Sequence, residues 1–386
     1  RLAVTFGDRQ LELEPLHVDL SERKTQRRRL FNGHDDVWIP RTHVSPRGES
    51  CAGRSRGAAR ETSSRLAAPR LLSAPMPRGF FTTCTTVLFD TLPSLDAIEA
   101  ALGDFTIRAR RAADEESWFG GFDELVVDYR PAIRGFITVE RIDRTWPDTM
   151  GDPQHDEDTF GAWSMGAFGP GAFPGNLARA AQQAVSWTAD PTEAVARHRG
   201  MIRLRGSYVM GAGEDAVVLP EDADVVDELT FVARLAEKLT ALPGAIAYFN
   251  PSAELLLQPE ELTRRLADAN ERDVPPLDTF VHVRLMNVAE ASGWSLMDTV
   301  GADQVFLPDH EAVLDRDQDP NEIAAFLMNL AYYLLQRGEV IEDGDTIDGP
   351  GGVWRAKVCE EPLVSPPRRT LRWALNGARV PDVFEV

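Results

Sequence analysis

The stretch from Asp319 to Gly338 constrains this chain more than any other. Asp319 is a good helix N-cap, Pro320 suits the first helical position, and Glu322 completes an Asp-x-x-Glu capping box. Ile323, Phe326, Leu327, Leu330 and Leu334 then share one face, and Gly338 stops the run. Its apolar part, Ile323 to Leu335, reaches about 20 Å at ~1.5 Å per residue, short of a hydrocarbon core of about 30 Å. Asn329 interrupts it as well. It reads as a core helix of a soluble protein.

Around it, strand and helix patterns alternate. Phe81–Phe89 (FTTCTTVLF) is β-branched and aromatic, hence a strand, and Ser94 caps a short helix closed by Gly103. Phe105–Arg110, Leu125–Tyr129 and Ile133–Ile142 read as further strands. Residues 143–175 are irregular, and a helix is expected from Gly175 or Asn176 to about Trp187. A second stretch follows: strand Met201–Val209, amphipathic helix Asp227–Leu242, strand Ala245–Phe249 and polar helix Pro259–Ala269. Strands are expected at Phe280–Val288, within Trp294–Phe306, at Val353–Cys359 and at Thr370–Trp373. The fold class is therefore α+β: two β/α units with mainly antiparallel sheets and packed helices. The shared element order of 81–110 and 201–249 hints at a diverged duplication. The units are expected at 76–190, with a Trp/Gly/Asp-rich loop, and at 191–386.

Residues 1–75 differ. They carry 14 Lys and Arg against 9 Asp and Glu, and 41–70 is rich in Arg, Ser, Ala, Gly and Pro with little apolar periodicity. Such a segment buries too little to offset its ordering entropy. The chain opens on Arg1, while Met76 stands just before the first convincing strand. Residues 1–75 are expected to be either disordered or an over-extended upstream translation.

The remaining 311 residues hold 27 basic and 52 acidic side chains, within a whole-chain net charge of −20. So negative a surface repels a polyphosphate backbone, which excludes nucleic acid as a partner of the main body. Cys51, Cys84 and Cys359 lie far apart with no CxxC pair, which speaks against a local zinc clamp or dithiol. They read as small buried hydrophobes in a reducing cytoplasm. No secretory-signal pattern is visible at the N-terminus.

Several motifs combine into a resemblance. WPDTMGDP (146–153), AWSMGAFGPGAFPG (162–175), SGWSLMDTVG (292–301) and the helix followed by GEVIEDGDTIDG (338–349) resemble a family of mainly bacterial proteins that share domain of unknown function 4261. The resemblance covers roughly Phe81 to Trp373, most strongly the C-terminal third. It rests on Gly turns, Trp residues and capped helices, and it implies no substrate, cofactor or catalytic residue.

Each chemical motif has a plainer reading beside it. Ala162-Trp163-Ser164-Met165-Gly166 is a variant nucleophile elbow, but polar residues precede it where the elbow requires a strand. Four glycines between Gly166 and Gly175 precede a helix, yet no GK[ST] follows, and Pro170 and Pro174 remove donors. A rigid loop explains both. Asp343–Gly349 resembles a cation loop but places Ile347 at a ligand position, so a hairpin turn fits better. Asp148, Asp152, Asp156 and Asp158 around His155 form an acid-rich patch, which is more often a solvated loop than a cation site. His198 beside a strand, His282 in a strand and His310 in a loop show no metal spacing. Trp118, Phe119, Trp146, Trp163, Phe168 and Phe173 are expected to plug the join between the two halves rather than form contact hot spots.

The reading is of a non-catalytic intracellular protein-binding module of adaptor or toxin-neutralising type. It presents the loop 146–175 to a basic protein partner, through Trp146, Asp148, Asp152, His155 and Trp163. No metal and no cofactor are expected. The alternative is a hydrolase assembled from His155, Asp148, Asp152 and Ser164, which requires those side chains to converge in one cleft.

Overall fold

A computed structural model describes residues 2–6, 9–15, 80–113, 121–185, 187, 189–213, 216–288, 291 and 293–384. Two mainly antiparallel sheets organise it, and the fold is α+β. Of residues 1–75, only β1 (Leu2–Phe6) and β2 (Arg9–Pro15) are described. They form a hairpin on an edge of the second sheet. The expectation for the rest of 1–75 lies outside the described residues, as do Cys51, Trp118 and Phe119.

The first sheet uses β3 (Thr83–Phe89), β4 (Ile107–Arg111), β5 (Asp123–Arg130), β6 (Gly135–Ile142), β7 (Gly200–Ser207), β8 (Ala245–Asn250) and β9 (Leu255–Leu257). Its order is β4-β5-β6-β7-β3-β8-β9, antiparallel throughout. Strands from both sides of residue 190 thus share it. Because side chains alternate along a strand, the sheet buries two faces. Val87, Phe89, Ile137, Val139, Ile202 and Leu204 face helices α1 (Leu95–Ala101), α5 (Val225–Thr240) and α6 (Pro259–Glu271). Leu88, Ile142 and Met201 face the other way, under the 146–187 segment. That segment holds α2 (Glu157–Ser164) and α3 (Asn176–Gln183), and α4 (Pro191–Ala196) follows it.

The second sheet continues from the hairpin with β10 (His282–Val288), β11 (Trp294–Val300), β12 (Asp309–Asp315), β15 (Thr370–Leu375), β14 (Gly352–Cys359) and β13 (Thr346–Gly349). Among the described strands β12 and β15 form the parallel pair. Helix α7 (Pro320–Arg337) covers one face, with Ile323, Phe326, Leu327, Leu330 and Leu334 packed on Met297, Ala312, Leu314, Trp354 and Trp373. Asp319 accepts from the Asn321 N–H, so the predicted cap is realised, and Gly338 ends the helix at φ 79°.

The structure also departs from expectation. The 143–175 stretch is not wholly irregular, because Asp156 accepts from the Thr159 N–H and starts α2. Helix α3 ends at Gln183, where the chain peels away and lets the buried Trp187 indole donate to the Leu256 carbonyl. Beyond Val300 the chain forms a 3₁₀ turn, since the Asp309 carboxylate accepts from the Gly301 and Ala302 N–H groups. His310 sits in β12, wholly buried, and not in a loop. No helix of the described residues is long and apolar enough to cross a membrane.

Candidate functional site

The Trp/Gly/Asp loop is built from its aromatics outward. Trp146 lies buried with Trp163, Phe168 and Phe249, its ring edge-on to all three at centroid distances of 5.1–6.2 Å. Its indole N–H donates to Asn176 Oδ1 (3.0 Å), and its backbone N–H donates to His198 Nε2 (2.9 Å). The Trp163 indole donates to the Pro147 carbonyl (3.2 Å). Both tryptophans are core residues packed on the first sheet. They are not surface anchors.

Asp148 is a helix cap. Its carboxylate accepts from the Leu177 and Ala178 N–H groups at 2.9 Å each, the orphan donors of α3, and its carbonyl accepts from Gly175. Partial burial nevertheless raises its pKa above the ordinary carboxylate range. Asp148→Ala is expected to cost about 1–2 kcal/mol of stability in urea titration. An unchanged midpoint would show that α3 holds itself.

Asp152 and His155 lie in solvent, His155 with 79% of its side chain exposed. They pair at 3.1 Å, and hydrogen bonds from Gln154 and His155 lower the Asp152 pKa. Ser164 is exposed at the end of α2. Among the described residues no hydrogen bond joins Ser164 or Asp148 to His155, so a Ser–His–Asp arrangement does not form. No group of three or more His, Cys, Asp or Glu among those residues is placed to hold a metal ion.

The strongest electrostatics lie where sequence reasoning did not look. On the face of the second sheet away from α7, Arg284 forks onto Asp298 (2.9 and 2.5 Å) and reaches Glu254 (2.8 Å). Glu254 also holds Arg179 of α3 (2.6 Å). Asp298 takes a second guanidinium, Arg368 (2.6 Å), whose Nε lies 3.4 Å from Asp309. Glu311 accepts from Arg372 (3.1 Å) and the Leu363 N–H (2.6 Å). Apart from the less buried Arg179, these side chains are at most 6% exposed. Arg179 to Asp309 is thus a continuous ionic chain from the Trp loop to the second sheet. Burial raises the Asp309 pKa to about 6 despite Arg368, and it raises that of Glu311 as well.

A second buried group lies on the loop-facing side of the first sheet: Glu140 between Arg203 (2.7 Å) and Arg205. The buried histidines are neutral, with His282 and His310 both lowered by burial to about 3. His282 donates from Nδ1 to the Glu254 carbonyl (2.8 Å), while His310 Nδ1 accepts the Trp373 indole N–H (3.2 Å). Cys84 and Cys359 are free and buried, and burial pushes the Cys84 thiol up to about 12, which makes it inert. Between α7 and β14 a cleft of about 90 Å³ is rimmed by the Glu339–Arg369 ion pair, well short of the several hundred Å³ of a typical ligand pocket.

Comparison with curated proteins and with solved structures gives no match. Residues 298–374 match a family model. The matched part begins at Asp298 and takes in Asp309, Glu311, α7, Arg368 and Arg372, so it contains half of the ionic chain and the helix that covers the sheet. The family that this segment matches is described as domain of unknown function (DUF4261).

Proposed function

We propose that the protein is a non-catalytic protein-binding module, of adaptor or toxin-neutralising type, that offers an acidic loop to a basic partner in a reducing cytoplasm. The observation that carries this reading is the segment 152–158. All seven residues are exposed, and four are carboxylates: Asp152, Asp156, Glu157 and Asp158. Its two flanks are fixed, one by buried Trp146 and the Asp148 cap, the other by buried Trp163. A charged loop held on a rigid base loses little entropy on binding and steers a partner of opposite sign. The free buried thiols Cys84 and Cys359 suit a reducing compartment.

Affinity capture with the full chain, followed by mass spectrometry, tests this against a Glu157→Lys/Asp158→Lys variant. Both residues are exposed and lie beyond the Asp156 cap, so the fold should persist. A basic protein should be retained by the native chain and bound about tenfold or more weakly by the variant, with the difference shrinking as salt rises. Equal retention by both, at low and high salt alike, would rule the loop out.

A further inference from the structure

The interior of this acidic chain holds a surplus of positive charge in one place. On the loop-facing side of the first sheet, β-pairing sets Cys84 opposite Arg205 and Thr86 opposite Arg203, while β6 adds Thr138 and Glu140 in the same two rows. All six residues are at most 4% exposed. Two buried guanidiniums share the carboxylate of Glu140, while Glu124, opposite Glu140 on β5, is paired with the exposed Arg111. The ionic chain of the second sheet differs, because Arg179, Arg284, Arg368 and Arg372 there meet four carboxylates, Glu254, Asp298, Asp309 and Glu311.

Arg205 is also incompletely bonded. Its Nε has no partner, its Nη1 reaches the Ala167 carbonyl only at 3.5 Å, and its guanidinium lies 3.7 Å from the Phe81 ring centroid. Two more buried polar atoms on this side lack partners, Thr86 Oγ1 and Ser252 Oγ. The glycine loop closes over Cys84 and Ser252: a Cβ on Gly169 (φ +106°) would lie 2.8 Å from Cys84 Cβ and 3.0 Å from Ser252 Oγ. A buried charge without a full set of partners is costly, and so is each unmade hydrogen bond.

We propose that Arg205, with Arg203, Thr86 and Ser252, forms a binding site for a small oxyanion beneath the Ala167–Gly171 loop. One negative charge there balances the second guanidinium, and its oxygens are the acceptors that Arg205 Nε and the buried hydroxyls lack. Because the loop packs directly on Cys84 and Ser252, it must lift for the ion to exchange. Glu140 competes with the ion for the same two guanidiniums.

Thermal unfolding of the full chain in sodium phosphate, sodium acetate and sodium chloride at equal ionic strength tests the site. Phosphate or acetate should raise Tm saturably, by about 5 °C at a hundredfold excess over Kd, whereas chloride should not. The oxyanion with the larger shift identifies the head group that the site takes. Arg205→Gln should abolish the shift, and Ser252→Ala, a milder change that leaves the charges in place, should weaken apparent affinity several-fold. Glu140→Gln should enlarge the shift, because the competing carboxylate is gone, whereas a purely structural triad predicts no anion dependence. A Tm that follows ionic strength alone, or an oxyanion shift that survives in both the Arg205 and Ser252 variants, overturns the proposal.

Discussion

Asp298→Asn should lower stability by about 3–5 kcal/mol, a large share of the 5–15 kcal/mol that holds a typical domain together. The wholly buried carboxylate of Asp298 serves two guanidiniums, those of Arg284 and Arg368. Neutralising it leaves Arg284 with Glu254 and Arg368 with Asp309, each short of a carboxylate where water cannot make up the loss. The same substitution at exposed Asp152 should stay within about 0.5 kcal/mol, since water replaces what is lost there. Urea unfolding checks both. The Asp298 variant should move the midpoint with little change in slope, which marks a loss of native interactions and not a change in surface exposed. A midpoint within error of the parent would mean that the ionic chain contributes nothing to the fold.

The second large effect concerns acid. His310 is buried, and its folded pKa of about 3 lies well below the ordinary histidine value of 6.5. A histidine held neutral in the folded state stabilises fully above pH 6.5, and that contribution is lost as pH falls toward 3, because the unfolded chain takes up the proton first. The slope is about 1.4 kcal/mol per pH unit. His282 behaves alike, with a folded pKa of about 3. Asp309 acts in the opposite sense between about pH 6 and its ordinary value of 3.8, since its raised pKa makes the folded state bind the proton first. In His310→Leu the stability–pH curve should therefore be flatter by about 1.4 kcal/mol per unit between pH 6 and 4, whatever the other groups do. Stability would also drop at pH 7, because the Trp373 indole loses its acceptor. Parallel curves for parent and variant would contradict a neutral buried imidazole.

The legible parts of the fold were those where one short segment carries its own instructions. Asp319-Pro320 and Gly338 bracket α7 because capping is decided by residues a few positions apart. Ser94 likewise sets the start of α1. β12 was missed for the opposite reason. Its sequence DHEAVLD is polar at Asp309, His310 and Glu311, and all three residues are buried, two of them facing arginines that lie about sixty positions away. A reading by hydropathy assigns such residues to the surface, and nothing local corrects it. Helix α4 did carry a local signal, Asp190 before Pro191, which a stricter search for N-caps would have caught.

The site followed the same division. That Trp146, Trp163 and Phe168 plug a core could be argued from their size and their Gly-rich setting, and they do pack together. That Asp148 caps α3 could not, because its partners lie about thirty residues on. The Arg203–Glu140–Arg205 cluster was equally invisible, since two strands had to be paired in register before its three members met.

One feature of the second sheet bears on how the molecule is made. β15 lies between β12 and β14, although β14 precedes it along the chain. The β13–β14 hairpin reaches the sheet only through β15, so it must wait, half built, for a strand synthesised later. During translation the inner edge of β14 has no strand beside it and stays open to other nascent chains until β15 arrives. Slowing the ribosome between β14 and β15 should therefore favour aggregation over correct assembly.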